Sequence, residues 1–335
     1  MTENNKFNYH IIFWLISLIT LTSLIIIVGG LTRLTDSGLS ITEWDVFSGI
    51  IPPFNETKWN EYFDLYKNTS QYNLLYASMT LPEFKIIFWW EFIHRILARS
   101  LGILFLIPLI YFYFKKVFSK KTIFNLLIIF LLIIFQGTIG WYMVKSGLID
   151  NVTVSHFRLS LHLSLAFIIL SSIFWFFLNY ISNTYRSIFF TKKLLILKVL
   201  FFLIFLQIAL GALVSGLDAG RLYQTWPLMN GNYMPEDLIV DLSEPGFVQF
   251  IHRNLAYLIF IFSLYLYFYI NKFMPEMILK FFYIYFSLIL IQIALGIYVL
   301  ISGFNFYVAS AHQISSIFLI LSFLKLLHSS LISKY

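Results

Sequence analysis

A five-residue phrase occurs twice in the sequence, as EFIHR at 91–95 and QFIHR at 249–253. Each copy opens an apolar run long enough to span a membrane. A histidine inside such a run is costly in lipid, so it reads first as a functional group with a partner nearby. Two more, His162 in RLSLHLSLA and His312 in VASAHQISS, stand near the start of two other apolar runs. His94 and His252 are 158 residues apart, and His162 and His312 are 150 apart. Four histidines at matched depth, in two copies of one pattern, suit two facing pairs of neutral imidazoles, an arrangement that holds haem iron. One such histidine alone would more readily be a buried ring satisfied by a carbonyl or hydroxyl. His10, His156 and His328 have no counterpart in the repeat and read as interfacial or terminal.

The charged neighbours differ between the copies. Glu91 lies three residues before His94, on the same helix face. A carboxylate partly buried beside a haem would hold its proton more tightly and could pass protons during chemistry at the haem edge. The matching residue, Gln249, cannot. The first site therefore reads as reactive and the second as passive. Arg95 and Arg253 follow their histidines directly, with Arg99 one turn beyond Arg95. Arginine forms charge-assisted, often bidentate bonds to carboxylates, so both are candidates for clamping haem propionates. A pairing of Arg95 with Glu91 or with a headgroup phosphate is the alternative.

The elements that carry these residues follow from composition. The chain of 335 residues is 59% hydrophobic and 12% charged, which marks a polytopic membrane protein rather than a soluble domain. It has no cysteine, which excludes disulfides, thiolate metal sites, iron–sulfur clusters and covalent c-type haem attachment. At about 20 apolar residues per span, eight spans are expected at roughly 9–31, 87–113, 122–143, 157–180, 194–215, 247–270, 277–301 and 306–328. The first is too long and apolar for a cleaved signal peptide. Lysine and arginine collect in the loops at 114–121 (Lys115, Lys116, Lys120, Lys121), 181–193 (Arg186, Lys192, Lys193) and 271–280 (Lys272, Lys280). Those loops and both termini are expected on the cytoplasmic side. The opposite side holds the two long loops, about 32–86 and 216–246, and 12 of the 16 acids, Asp45 and Asp237 among them. The net charge of +7 thus reads as topology and not as a nucleic-acid signal.

A repeat organises the spans. Gln136 and Gly140, Gln207 and Gly211, and Gln292 and Gly296 recur at the same spacing in odd spans, and the first span ends in Gly29-Gly30. Small residues let helices approach closely in lipid, so the glycines read as packing and the glutamines as interhelical hydrogen-bond glue. Spans 1–4 match spans 5–8. The expected fold is all-α, eight transmembrane helices in two pseudo-symmetric four-helix bundles related by an axis along the membrane normal. The first half, 1–185, carries one haem pair and the second, 186–335, the other.

Long strings in the chain are similar to one family. They are GGLTRLTDSGLSITEW at 29–44 with the Pro52-Pro53 turn, EFIHRILARSLG at 91–102, RLSLHLSLAF at 158–167, VSGLDAGRLYQTWPLMNGNYMPE at 214–236, QFIHRNLAY at 249–257 and the His312 helix. Together they resemble haem A synthase of the proteobacterial and mitochondrial type, over nearly the whole chain. The cysteines found in outer loops of some members are absent here. The resemblance implies oxidation of the C8 methyl of haem O to a formyl group, by two hydroxylations and loss of water. It implies a resident haem b on His252 and His312, relaying electrons, with Arg253 beside it. The substrate haem would lie between His94 and His162, with Arg95 beside it and Glu91 as catalytic acid or base. Expected partners are haem O, a membrane haem O synthase that delivers it and an electron acceptor, with no nucleic acid and with self-association into a homo-oligomer left open. The expected location is a bacterial plasma membrane, crossed several times, with the haem sites towards the outer leaflet. A di-haem b-type electron-transfer cytochrome and a haem transporter or chaperone are the alternatives.

The charge pattern makes a direct prediction. A reporter fused after Lys121 should read as cytoplasmic and one inserted near Asn232 as external. The reverse result would move all four histidines to the inner leaflet.

Overall fold

The computed structural model describes residues 8–43, 48–148, 152–184, 194–236 and 238–333. Asp45, Arg186, Lys192, Lys193 and Asp237 lie outside the described residues. Ten α-helices are found among the described residues: α1 (Asn8–Leu34), α2 (Glu56–Lys67), α3 (Ser70–Leu75), α4 (Leu81–Phe114), α5 (Lys120–Gly147), α6 (His156–Ile181), α7 (Leu195–Gly216), α8 (Pro245–Phe273), α9 (Glu276–Ile301) and α10 (Phe306–Ile332). Eight of these, all but α2 and α3, are long and apolar enough to cross a membrane. Backbone groups in lipid must bond within their own segment, which is why the spanning elements are helices. The protein is thus a multi-pass, all-α membrane protein.

The chain forms two compact units, Met1–Ile169 and Leu170–Tyr335, which divide inside α6. The expected division at 185/186 falls outside the described residues. In the first unit α1 packs along α4, tied by the Trp14 indole N–H donating to the Leu104 carbonyl at 2.8 Å. In the second unit α7 packs on α8 and α9 on α10, and Ser263 and Tyr285 join α8 to α9 across 2.9 Å in the interior.

The second span begins at Leu81, six residues earlier than its apolar run suggests. Its start is set by polar chemistry rather than by hydropathy. The Thr80 backbone N–H and hydroxyl both donate to the Glu83 carboxylate, at 2.7 and 2.8 Å, and Pro82 sits in the first turn. At 34 residues α4 is about 51 Å long, well beyond a hydrocarbon layer of about 30 Å. Its first turns serve as a post for α2. Asn55 caps α2 by accepting from the Lys58 N–H at 2.8 Å. Trp59, Phe63 and Tyr66, at helical spacing, pack on Phe84, Phe88 and Phe92 of α4. Tyr66 is fully buried and donates to Gln71 Oε1 at 2.9 Å; burial pushes its phenol up from the ordinary tyrosine range.

Candidate functional site

Each of the four repeat histidines faces a glycine of the preceding spanning helix. A β-carbon built on Gly29 would stand 2.7 Å from Cε1 of His94, and one on Gly140 2.8 Å from Cε1 of His162. In the second unit the corresponding distances are 3.2 Å from Gly211 to His252 and 3.2 Å from Gly296 to His312. All four contacts are tighter than ordinary van der Waals packing, so any larger residue displaces a ring. Gly102 and Gly137 would meet nothing within 4 Å.

The residue four before each glycine holds the same imidazole. The Gln136 amide nitrogen lies 3.3 Å from His162 Nε2 and donates to the His162 carbonyl at 3.0 Å. Gln207 repeats this on His252, at 3.3 and 3.0 Å. Gln292 donates to the His312 carbonyl at 2.9 Å, and the His312 ring bonds back to the Gln292 backbone. For His94 the partner is the backbone of Ile25. The glutamines are therefore more than packing glue: they fix the histidines. A single sequence hides this, because each partner lies 20 to 45 residues away.

His94 and His162 lie within electrostatic range of each other, as do His252 and His312. Each of the four rings keeps Nδ1 buried and without a hydrogen-bond partner among the described residues. An unpaired buried polar atom costs about 1–3 kcal/mol. A ring with one nitrogen held by the protein and one uncommitted has the character of a metal-ligating histidine with a second partner. Glycine cradle, ring pairing and uncommitted nitrogen all fit axial ligation of haem. Among the described residues no three histidine, aspartate or glutamate side chains gather into a metal-ion cluster.

The EFIHR and QFIHR phrases close on the long loops. Glu91 is 3% exposed. Its carboxylate accepts from the Ser40 hydroxyl at 2.7 Å and the Ile41 N–H at 2.9 Å, and it forms an ion pair with Arg95. Arg95 also donates to the Ile41 carbonyl at 3.1 Å. In the second unit Gln249 donates to the Tyr223 carbonyl at 3.0 Å. Arg253 donates to the carbonyls of Tyr223 at 2.8 Å and Thr225 at 3.0 Å. Both arginines thus pin a loop, and Arg95 takes Glu91 as its partner. Gln249 Oε1 and Arg253 Nε remain buried without a hydrogen-bond partner among the described residues. A cavity of about 380 Å³ opens beside Arg95, walled by Ile41, Trp141 and Lys145.

The profile of a family described as cytochrome oxidase assembly protein matches residues 12–324. A "Heme A synthase" of Pelagibacter ubique is 46% identical, over 97% of this chain and 98% of its own length. One of Rickettsia bellii is 41% identical over 92% of this chain and 94% of its own. One of Bartonella tribocorum is 42% identical over 90% and 86%.

The glycine contacts predict a graded result. Gly29→Ala and Gly140→Ala should each destabilise by about 1–3 kcal/mol through overpacking, and Gly211→Ala and Gly296→Ala by less. Gly137→Ala, with open space around it, should be neutral or slightly stabilising. Thermal denaturation of the purified protein in detergent would measure the order, and equal effects at Gly137 and Gly140 would contradict it.

Proposed function

This chain belongs to the haem A synthase family of cytochrome oxidase assembly proteins, and on that premise we propose that it makes haem A in a bacterial plasma membrane by oxidising the C8 methyl of haem O to a formyl group. The observation that carries the reading is the repeated pair of half-buried imidazoles, each with a buried Nδ1 and each cradled by a glycine, with a carboxylate beside only one pair. His94 and His162 hold the substrate haem. His252 and His312 hold a resident haem b, which supplies electron transfer away from the substrate when bound.

The protein's own groups have separable tasks. The glycines and glutamines orient the imidazoles. The loops pinned by Arg95 and Arg253 cover the phrases that carry His94 and His252 and limit water there. Glu91 stands one helical turn from His94 and handles protons released as the methyl is oxidised. In the resting arrangement its charge is balanced by Arg95, so proton uptake at either Glu91 oxygen competes with the bonds from Arg95, Ser40 and Ile41. The second site needs no proton carrier, in keeping with Gln249.

His252→Ala or His312→Ala should remove haem b, because one of the two imidazoles that would hold it is lost. Variants that keep a full low-spin b-type spectrum would contradict this. Haem extracted from the purified protein should be haem b together with haem O or haem A; haem b alone would point to an electron-transfer cytochrome.

Glu91→Gln should still bind haem b and haem O but make haem A about 10²–10⁴ times more slowly, the usual worth of a general acid or base. Ser40→Ala keeps the carboxylate and removes one of its bonds, so it should retain most activity. If Ser40→Ala loses as much haem A as Glu91→Gln, the carboxylate acts only by holding the loop.

A further inference from the structure

The cavity beside Arg95 adjoins both members of the first histidine pair. Arg95 directly follows His94. On α5, the cavity residue Val144 stands one turn beyond Gly140, the glycine that cradles His162. Trp141 and Lys145 extend that wall along α5, and Ile41 and Glu43 of the loop after α1 contribute another. The loop packs tightly on this end of α5: a β-carbon on Gly147 would stand 3.2 Å from Leu39. Arg158 of α6 braces the same turn by donating to the Ser146 hydroxyl and lying over the Tyr142 ring, 4.7 Å from its centroid.

Two cations line this cavity, and they differ in their commitments. Arg95 is paired with Glu91 and bonded to the Ile41 carbonyl. Lys145 is exposed and lies over the Trp141 ring, 5.0 Å from its centroid, with no ion pair among the described residues. Among those residues Glu43, itself exposed, is the only acid in the cavity wall. At about 380 Å³ the cavity falls within the range of ligand pockets, about 300–1,000 Å³. Apolar walls with one uncommitted ammonium suit the carboxylate of an amphipathic molecule.

The repeat confines this lysine to the first unit. Gln136, Gly140 and Lys145-Ser146-Gly147 align with Gln292, Gly296 and Ile301-Ser302-Gly303. Lys145 therefore corresponds to Ile301, and Trp141 to Ile297. Arg158, four before His162, corresponds to Val308, four before His312. The two cradles are alike, but Lys145, like Glu91, has no counterpart of its kind in the second unit. We propose, on the reading that the first pair holds the substrate haem, that this cavity is a carboxylate-binding site in which Lys145, seated over Trp141, holds a propionate of that haem. Glu91 already balances Arg95, so the counter-charge for the propionate comes from Lys145.

Haem O and its dimethyl ester, in which both propionates are blocked, would be titrated into the full chain in a neutral detergent, with binding read from the Soret band. Lys145→Gln should weaken haem O binding by roughly fivefold, the upper worth of a solvent-accessible ion pair, and leave binding of the ester unchanged. Lys145→Arg should retain haem O binding, and Glu43→Gln should not weaken it. Equal losses for haem O and its ester in Lys145→Gln would make the lysine a structural residue and overturn the assignment. Unchanged haem O binding in that variant would leave Lys145 to a lipid headgroup, with the same consequence. If Glu43→Gln weakens haem O as Lys145→Gln does, the lysine acts by holding the loop and the inference falls. His94→Ala separates this from the reading beneath it. Binding of haem O that survives His94→Ala at full strength would sink the substrate assignment and this site together, whereas His94-dependent binding that ignores Lys145 sinks this site alone.

Discussion

The contact between a glycine and an imidazole is the constraint on which the rest of this protein depends. An imidazole in an apolar helix needs room and a hydrogen-bond partner, and the neighbouring helix provides both from residues four apart: Gly29 with Ile25, Gly140 with Gln136, Gly211 with Gln207, Gly296 with Gln292. The contact decides how close the two helices come, and one methyl group would reset it. It also fixes the rotation of α4 and α8, because the ring can enter the cradle from only one side. Once that rotation is set, residues three before and one after the histidine are carried to the long-loop face.

The Glu91 and Gln249 difference follows from what each meets there. Glu91 faces two donors, the Ser40 hydroxyl and the Ile41 N–H, and needs an acceptor. Gln249 faces the Tyr223 carbonyl and needs a donor. The same helix position thus clasps a loop in both units with opposite hydrogen-bond polarity. A buried carboxylate must be paired to be tolerated, and Arg95 pairs it. The second unit has no charge to balance at that position, so the terminal nitrogens of its arginine bond carbonyls instead, while Nε stays without a hydrogen-bond partner among the described residues.

Much of this was legible in the sequence because lipid leaves so few choices. Apolar runs longer than a bilayer is thick must be spanning helices, and histidines inside them must be accounted for. The repeat made His94, His162, His252 and His312 a set without any coordinates. What the sequence concealed depends on contacts across long separations. The glutamines read as general packing residues, yet their amides turn out to sit on the histidines. Arg95 left a haem propionate, Glu91 and a headgroup phosphate open as partners, and its bonds to Glu91 and to the Ile41 carbonyl depend on residues four and 54 positions away. The loop at 32–86 read as a long connection, although Asn55 as a cap and Trp59, Phe63 and Tyr66 at helical spacing are a readable helix signal. That signal is weaker than hydropathy because α2 is only 12 residues long and lies outside the apolar runs. The early start of α4 was hidden for the same reason: Thr80, Pro82 and Glu83 set it, and they stand outside the apolar run.

The clasp also bears on how chemistry at the first site would be coupled to the loop. Glu91 holds Ser40 and Ile41 only as an acceptor, and it holds Arg95 chiefly through charge. A proton on Glu91 weakens the ion pair and removes one acceptor position, while Arg95 keeps its bond to the Ile41 carbonyl. Protonation would therefore loosen the loop from one side and leave it tethered from the other. Gln249 carries no titratable proton, so nothing at that position can loosen its loop in this way. Two units that cradle their histidines alike thus differ in how the loop is clasped, by a carboxylate paired with arginine in the first and by an amide bonded to a carbonyl in the second, and that difference is set by a single side chain.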